Sequence, residues 1–238
     1  MDFKEFKEYL NIKLKENNIN EKMNEELFFK YMKNILEWNE KINITNIIDE
    51  KEFVVKHFID SLTILDYIED GKKTIDIGCG AGFPGIPLKL AKIKIKETLI
   101  DSVNKKIKVV QDCIDKLNLN DIEALHARAE DLANKEEYRE KFDYATTRAV
   151  SNLATITEYM LPFLKIGGKA ICMKGPNYKE ELENSKKAIN VLGGTIEEIK
   201  NIKIDNEHER TIIIIKKIKN TPKQYPRGNG KPLKNPIQ

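Results

Sequence analysis

The chain has 238 residues, of which 40% are hydrophobic and 33% are charged. This composition fits one α/β domain with a small appendage, and it excludes a mainly disordered or fibrous protein. No apolar run is long enough to cross a bilayer, and the first twenty residues lack the apolar stretch of a signal peptide. The three cysteines are odd in number and widely spaced, which argues against a metal site. We therefore expect a soluble, reduced, cytoplasmic protein without a metal.

The charge is distributed unevenly along the chain. The net charge is +3, yet seven basic residues and no acidic residue occur from Lys216 to the end, which leaves −4 for residues 1–215. A basic terminal segment on a mildly acidic body suggests a polyanionic partner, although a merely solvated terminus is the alternative. Lysine outnumbers arginine 36 to 5, so each arginine carries more information than a single lysine does.

Residues 1–70 show the spacing of amphipathic helices. Hydrophobic positions recur three or four residues apart at Phe3, Phe6, Leu10 and Leu14, and again at Leu27, Tyr31, Ile35 and Trp38. A third helical pattern is formed by Phe53, His57, Phe58, Ser61, Leu62 and Leu65. No glycine or proline occurs before Gly71, and Asp70-Gly71 predicts a turn. We therefore expect an N-terminal helical extension over residues 1–70, packed on the remainder of the protein.

After residue 71 the pattern changes to short hydrophobic strands that alternate with helices. Strands are predicted at 74–77, 97–100, 122–125, 142–146, 169–173, 195–204 and 211–217. Helices are predicted at 87–92, 105–117, 154–164 and 180–192. This alternation predicts a doubly wound, Rossmann-like parallel sheet over residues 71–217. Because no helix separates the last two strands, one of them should run antiparallel. The prolines of residues 218–238 predict a loop-like or extended basic tail.

A glycine-rich loop follows the first predicted strand. Its sequence is Asp76-Ile77-Gly78-Cys79-Gly80-Ala81-Gly82. Glycine at such a loop lets a ligand lie directly against the backbone. A nicotinamide-dinucleotide fingerprint needs G-x-G-x-x-G, but Phe83 stands at the third glycine position, and a P-loop lysine is also missing. The loop therefore argues against a nicotinamide-dependent oxidoreductase.

Acidic residues lie at or just after the carboxyl ends of the first three predicted strands. Asp76 precedes the loop, where a carboxylate can receive an ammonium group or orient the loop. Asp101 ends the second strand, where it can accept both hydroxyls of a ribose. Glu130 follows the third strand, where an acid can meet the amino group of an adenine. Each alone could be a turn, cap or surface residue. Together, at the carboxyl ends of parallel strands, they predict a site for an adenosine-bearing cofactor.

These features resemble the class I S-adenosylmethionine-dependent methyltransferases. A closer resemblance, over nearly the whole chain, is to the bacterial 16S rRNA guanine-N7 methyltransferase family, also called small-subunit rRNA methyltransferase G or glucose-inhibited division protein B. The motifs that carry it are residues 76–88 with their Phe-Pro-Gly-Ile-Pro extension, 43–45, 57–62, 101–102 with Lys105-Lys106, 128–130, 147–150, 173–175, 209–210, 222–227 and 230–232. One departure is Cys79, where many relatives have threonine or serine; a small residue is kept.

The resemblance implies methyl transfer from S-adenosylmethionine to N7 of a guanine in the 530 loop of 16S rRNA. The cofactor contacts that it implies are Gly78, Phe83, Ala129, Glu130 and Arg148. The chemistry of the loop and strand ends adds Asp76, Gly80 and Asp101. No catalytic residue is assigned, and the candidates for positioning are Arg148, Lys174 and Arg210. The expected partner is 16S rRNA or a small-subunit ribosomal particle, bound by a monomer away from any membrane.

The candidates for RNA binding are basic or aromatic. They are Lys105, Lys106, Lys174, Arg210, Lys223, Tyr225 and Arg227. The alternative for the tail is that residues 225–227 pack back on the body and close the fold. Two other functions stay open from the sequence. A noncatalytic RNA-binding assembly factor would be expected to lose the glycine loop or Asp101, and a methyltransferase acting on a protein or small molecule is harder to exclude on chemistry alone.

The segment after the fourth predicted strand lacks two motifs of other methyltransferases. It has no Asn/Asp-Pro-Pro-Tyr/Phe motif, with which exocyclic-amine enzymes hold their target nitrogen, and no Pro-Cys pair for a covalent step on a pyrimidine. Guanine N7 has a free lone pair, so no proton has to leave before it attacks a methyl group. Proximity, orientation and electrostatics are then sufficient, in agreement with the resemblance.

Overall fold

The fold is seen in a computed structural model that describes residues 1–92, 94–148, 151–205 and 208–237. The strands within these residues are β1 (Lys73–Ile77), β2 (Lys96–Asp101), β3 (Ile122–His126), β4 (Phe142–Arg148), β5 (Leu164–Lys174), β6 (Gly194–Lys203) and β7 (Glu209–Lys217). They form one sheet in the order β3-β2-β1-β4-β5-β7-β6. Neighbours from β3 to β5 pair in parallel, and β7 runs antiparallel to both β5 and β6. The predicted α/β sheet with one antiparallel strand in its last pair is confirmed.

Helices cover both faces of this sheet. They are α1 (Phe3–Glu16), α2 (Glu25–Lys41), α3 (Glu50–Phe53), α4 (Asp60–Leu62), α5 (Gly85–Ala91), α6 (Asn104–Lys116), α7 (Ala129–Leu132), α8 (Leu153–Met160), α9 (Lys179–Val191) and α10 (Lys231–Lys234). A π-helical segment, Val54–Ile59, joins α3 to α4, and 3₁₀ turns cover Leu65–Tyr67 and Leu161–Phe163. None of the helices in the described residues is long and apolar enough to span a membrane.

The predicted strand boundaries agree with the observed ones to within two residues, except at the start of β5. That strand begins at residue 164 rather than 169. The Gly167-Gly168 pair interrupts its hydrophobic pattern, and the register with β4 shifts between Phe142 and Tyr144. Glycine lowers the strand propensity of a sequence, so these five residues carried no strand signal although they pair in the sheet.

Helices α1 and α2 and the residues 50–62 pack on one face of the sheet. Side chains from α1 and α2, including Phe6 and Tyr31, share a continuous core with Phe58 and with Phe83 in the glycine loop. Asp112 of α6 also holds α2 against the sheet layer, because it accepts hydrogen bonds from two side chains of α2. Residues on both sides of the predicted boundary at residue 70 therefore belong to one core.

The tail packs on the opposite face, beside α8 and α9, rather than extending from the protein. Arg139 donates through Nη1 to the carbonyl of Tyr225 (2.9 Å) and through Nη2 to that of Thr221 (2.9 Å). Thr155 of α8 donates through Oγ1 to the carbonyl of Pro232 (2.8 Å). The described part of the tail is loop-like, as predicted, except for the four-residue helical turn α10, which the sequence did not indicate. Pro232 is compatible with this helix because it lies in the first turn, where no backbone N–H is needed.

Candidate active site

Two clefts open at the edge of the sheet where the parallel strands end. The first cleft, of about 220 Å³, lies between the ends of β1 and β2, α7, α8 and the tail. The second cleft, of about 700 Å³, lies between the ends of β4, β5 and β7 and the π-helical segment. Ser151 lines both clefts, so the two clefts lie side by side at that residue. Parallel strands bring their carboxyl ends to one edge, which is why these sequence-distant segments meet there.

The glycine loop forms one side of the first cleft, and its other side contacts α2. Gly78 lines the cleft with a φ of 71°, a left-handed conformation that other residues rarely adopt. Tyr31 donates through Oη to the carbonyl of Ala81 at 2.8 Å. A Cβ on Gly82 would lie 2.9 Å from that same Oη, so this position has no room for a side chain. One side of the loop therefore packs against α2, and the other side, at Gly78, faces the cleft.

Asp101 projects from the end of β2 into the first cleft with a fixed orientation. Its Oδ2 accepts from the backbone N–H of Gly80 at 3.0 Å, and its Oδ1 accepts from that of Val103 at 2.8 Å. Each carboxylate oxygen has a further lone pair, which can accept from a ligand hydroxyl. Lys106 lies close to the same carboxylate, with its Nζ 3.7 Å from Oδ2. The two carboxylate oxygens of Asp101 are therefore held in place to accept hydrogen bonds from a ligand.

Asp76 does not line either cleft. It is fully buried, and its Oδ2 accepts from the backbone N–H of Gly85 at 3.0 Å. Burial raises the pKa of the Asp76 carboxyl to about 7. A Cβ on Gly85 would lie 2.1 Å from Leu99, so glycine is needed for this approach. Of the two roles predicted for Asp76, orienting the loop is the one that these contacts support.

The rest of the first cleft combines apolar surface with a second carboxylate. Ala129 and Glu130 lie in the first turn of α7, and both are buried against the cleft. Tyr159 and Leu233 complete the lining on the side of α8 and the tail. An adenosine needs apolar surface to cover the faces of its adenine ring. It also needs hydrogen-bond acceptors, since its ribose hydroxyls and its amino group are donors. The donor and acceptor set of this cleft therefore fits an adenosine-bearing cofactor.

The second cleft is organised by a buried carboxylate that holds two arginines. Asp60 is 1% exposed. Its Oδ2 accepts from Nη1 of Arg148 at 3.2 Å, and its Oδ1 accepts from Nε of Arg210 at 3.1 Å. The guanidinium of Arg148 also lies over the ring of Phe83, 5.0 Å from its centroid. These contacts fix Arg148 at the end of β4 with little freedom to rotate.

His57 supports the same guanidinium from the π-helical segment. Its ring stacks on Phe83 with centroids 4.3 Å apart and planes 8° apart. Burial, with the positive charge of Arg148 as a second cause, lowers the pKa of His57 to about 3. The neutral ring accepts through Nδ1 from Nη2 of Arg148 at 2.9 Å, so its proton is on Nε2, which faces Oγ1 of Thr45 at 3.0 Å. His57 thus orients Arg148 and has no free nitrogen.

The second cleft carries more positive than negative charge. Its charged lining residues are Lys56, Arg148, Lys174 and Arg210 against Asp60 and Glu181. Lys174 donates to the carbonyl of Ser151 at 2.7 Å and lies 2.7 Å from Oε2 of Glu181. A lining of this charge favours a polyanionic ligand. Among the described residues, no group of three or more His, Cys, Asp or Glu could hold a metal ion.

Comparison with known proteins decides the family. The family model described as GidB, rRNA small subunit methyltransferase G, matches residues 24–213. The chain belongs to this family. Proteins named ribosomal RNA small subunit methyltransferase G include one from Alkaliphilus oremlandii (strain OhILAs), 45% identical over 99% of this chain and 97% of its own. Another, from Clostridium novyi (strain NT), is 46% identical over 88% of both chains.

Solved structures agree on the fold. TYW2 of M. jannaschii, solved in complex with AdoMet, superposes with a TM-score of 0.54 and 16% identity over 68% of this chain and 76% of its own. An rRNA methylase from Streptococcus thermophilus has a TM-score of 0.50 and 16% identity over 68% of this chain and 94% of its own. At these identities the likeness shows the methyltransferase fold alone.

The structure of this GidB family member brings most of the predicted site residues together. Those that line the first cleft are Gly78, Asp101, Ala129 and Glu130, and those that line the second are Arg148, Lys174 and Arg210. Gly80 contributes its N–H to Asp101 without lining a cleft. Phe83 lines neither cleft and lies 4% exposed beneath Arg148 and His57, so a direct flanking contact with the cofactor stays a prediction. Residues Ala149 and Val150 of the matched motif lie outside the described residues.

The predicted RNA contacts are scattered. Lys105 and Lys223 are exposed, and Lys106 is half-buried beside Asp101. Arg227 is instead engaged inside the protein, because its Nε, Nη2 and backbone N–H all donate to Glu158, whose side chain is 0% exposed. The structure thus gives Arg227 the alternative, fold-closing role rather than a free guanidinium for phosphate. Tyr225 is also half-buried, and it packs against the same face of the protein.

Several site residues were missed from the sequence, among them four in the N-terminal region. Tyr31, Thr45, Lys56 and Asp60 all lie in the N-terminal 70 residues. Thr45 and Asp60 do occur in segments that resemble the family, which was the available signal. Their roles depend on contacts with residues 12 to 150 positions away, and periodicity within one helix does not report such contacts.

Proposed function

We propose that this chain transfers a methyl group from S-adenosylmethionine to N7 of a guanine in 16S rRNA, within the 530 loop. The observation that carries the proposal is that the two clefts lie side by side and share Ser151 in their lining. One cleft suits an adenosine, and the other, lined with cations, suits a base on a polyanion. The family description and the name shared by the relatives support rRNA of the small subunit as the substrate.

The first cleft has the groups that would hold the cofactor. Asp101 would accept from the ribose hydroxyls and Glu130 from the adenine amino group, while Gly78 allows close approach to the backbone. Ala129 and Tyr159 would cover the ring faces. When bound, S-adenosylmethionine supplies a methyl group that its sulfonium centre already activates, so the protein need not provide an acid.

The second cleft offers hydrogen-bond donors rather than a free base. Both oxygens of Asp60 accept from arginines, and Glu181 lies against Lys174. His57 is neutral, with one nitrogen accepting from Arg148 and the other facing Thr45. An exocyclic amine needs a group that removes a proton, whereas guanine N7 attacks with an existing lone pair. The occupied acids and histidine therefore favour N7 as the methylated atom.

Arg148 is the residue best placed to orient the guanine. Three of its N–H donors are used by Lys56, Asp60 and His57, which leaves two within the described contacts for a ligand. Guanine presents O6 and N7 on the same edge, and a donor to O6 would fix that edge while N7 stays free to react. Because Arg148 is ordered beforehand, little side-chain entropy is lost when the base binds.

A labelled-methyl assay tests the proposal. The purified protein is incubated with S-adenosylmethionine labelled in the methyl group and with small subunits or naked 16S rRNA from cells that lack the gene. N7-methylguanine makes RNA sensitive to borohydride and aniline, so primer extension should stop at one guanine, in the 530 loop. Label in a ribosomal protein, or in RNA without strand cleavage, would contradict the proposal.

A further inference from the structure

The tail returns to the first cleft after it leaves the sheet. Leu233, in α10, lines the cleft together with Gly78, Asp101 and Glu130. The residue lies some 100 positions or more from each of them in the sequence. Neither the family resemblance nor the charge pattern of the tail assigns it a role at the cofactor site. Its position is nevertheless fixed by a set of contacts to α8.

The strongest of these contacts is a buried ion pair. Arg227 donates to Glu158 through Nε at 3.0 Å to Oε1 and through Nη2 at 2.7 Å to Oε2. The backbone N–H of Arg227 adds a bond to Oε1 at 2.7 Å. A bidentate pair with one partner removed from water has a single favoured geometry. It therefore fixes the position of the backbone from which residues 228–237 continue.

Two further contacts fix the helical turn that carries Leu233. Nη2 of Arg227 donates to the carbonyl of Asn235 at 2.9 Å, and Oγ1 of Thr155 donates to the carbonyl of Pro232 at 2.8 Å. Pro232 is buried, whereas the neighbouring Leu233 is 58% exposed. The backbone on either side of Leu233 is thus held, and its side chain is presented at the rim of the cleft.

The same helix connects the tail to the cleft. Thr155 and Glu158 of α8 hold the tail, and Tyr159, the next residue, lines the first cleft. Movement of the tail would therefore displace α8 and with it Tyr159, which forms part of the cleft wall. An adenosine in this cleft would meet an apolar side chain on the tail side and carboxylates on the strand side.

We propose that residues 227–237 form a wall of the cofactor site, in which Leu233 contacts the adenosine and the Arg227–Glu158 pair positions it. This inference rests on the proposed function, because it assumes an adenosine-bearing cofactor in the first cleft. A leucine that is more than half exposed gains from being covered by a ligand, at about 25 cal/mol for each Å² of apolar surface. Covering part of its side chain should change affinity by about three- to tenfold.

The test compares two exposed aliphatic residues. Leu233→Ala should weaken the binding of S-adenosylmethionine by about three- to tenfold in calorimetry, without loss of folding, since the side chain is 58% exposed. Ile166→Ala is the matched control, because Ile166 is 61% exposed and lies near the start of β5, at the opposite edge of the sheet. The control should bind as the wild type does.

Limited proteolysis gives a second readout. Trypsin can cleave after Lys234, whereas the bond after Lys231 precedes proline and resists it. S-adenosylmethionine should slow removal of the residues after Lys234 in the wild type, and much less so in Leu233→Ala. Intact mass measures this removal directly, without any methyl transfer.

The outcomes separate this inference from the proposed function. A wild-type protein that does not bind S-adenosylmethionine would contradict both. Wild-type binding with the same affinity in Leu233→Ala and no protection of the tail would contradict this inference alone. A Leu233→Ala protein with weakened RNA binding and normal cofactor binding would also overturn it, since the tail would then belong to the RNA surface.

Discussion

Replacing Gly78 with alanine tests whether the first cleft holds the cofactor against the loop backbone. Gly78 has a φ of 71° and lines the cleft, whereas Gly71 has a φ of 76° in a turn before β1. Alanine in a left-handed conformation costs about 1–2 kcal/mol at either position. In a chain of this length each kcal/mol lowers the melting temperature by about 2–4 °C. Gly71→Ala therefore controls for backbone strain.

The two variants should differ in ligand binding. A methyl group forced into a fitted contact costs about 1–3 kcal/mol, so Gly78→Ala should raise the Kd for S-adenosylmethionine about 5- to 150-fold. Gly71→Ala has nothing within 4 Å of the added Cβ and should keep the wild-type Kd. Isothermal titration calorimetry on both folded variants measures this difference. Equal affinities for Gly78→Ala and Gly71→Ala would refute the placement of the cofactor on this loop.

Three further predictions concern charged and titrating groups. Asp101→Asn has one acceptor oxygen in place of two, and losing one charge-assisted bond of about 1.5–3 kcal/mol should raise the Kd for S-adenosylmethionine at least tenfold. The folded pKa of His57 is about 3, below the ordinary 6.5, so its contribution to stability is lost as pH falls from 6.5. Asp76, whose pKa of about 7 is raised from 3.8, stabilises most below pH 3.8 and opposes this trend. The wild-type stability minus that of His57→Gln should therefore fall by about 1.4 kcal/mol per pH unit between pH 6.5 and 4, and a flat difference in urea titrations would count against a buried neutral histidine. Arg227→Met should cost about 3–5 kcal/mol in urea unfolding by leaving Glu158 buried and unpaired. Adding Glu158→Gln should recover part of that loss, and no recovery would argue against the ion pair.

The sheet and the first cleft were largely predictable, because their signals are local. Hydrophobic strands, the glycine loop and Asp101 each occupy a short stretch of sequence. The alternation of strands and helices then places their ends at one edge of the sheet. The role of Asp76 was open between two possibilities, and only the bond to Gly85 distinguishes them.

The supports of the second cleft and the path of the tail were not predictable in the same way. Asp60 looks like an ordinary polar position in a helix, yet it is buried between arginines from two strands. Glu158 looks like a solvated acid, although its partner comes from residue 227. The sequence left open whether the tail binds RNA or packs back on the body, because composition does not reveal a buried ion pair that holds a segment against the body.

The most direct test of the central claim is mass mapping of 16S rRNA from cells with and without this gene. The account predicts that one guanine of the 530 loop carries a methyl group at N7 only when the gene is present. Wild-type protein supplied in trans should restore that methyl group, and Gly78→Ala should restore it poorly. An identical methylation pattern in both strains, or loss of a methyl group from an atom other than guanine N7, would contradict the account.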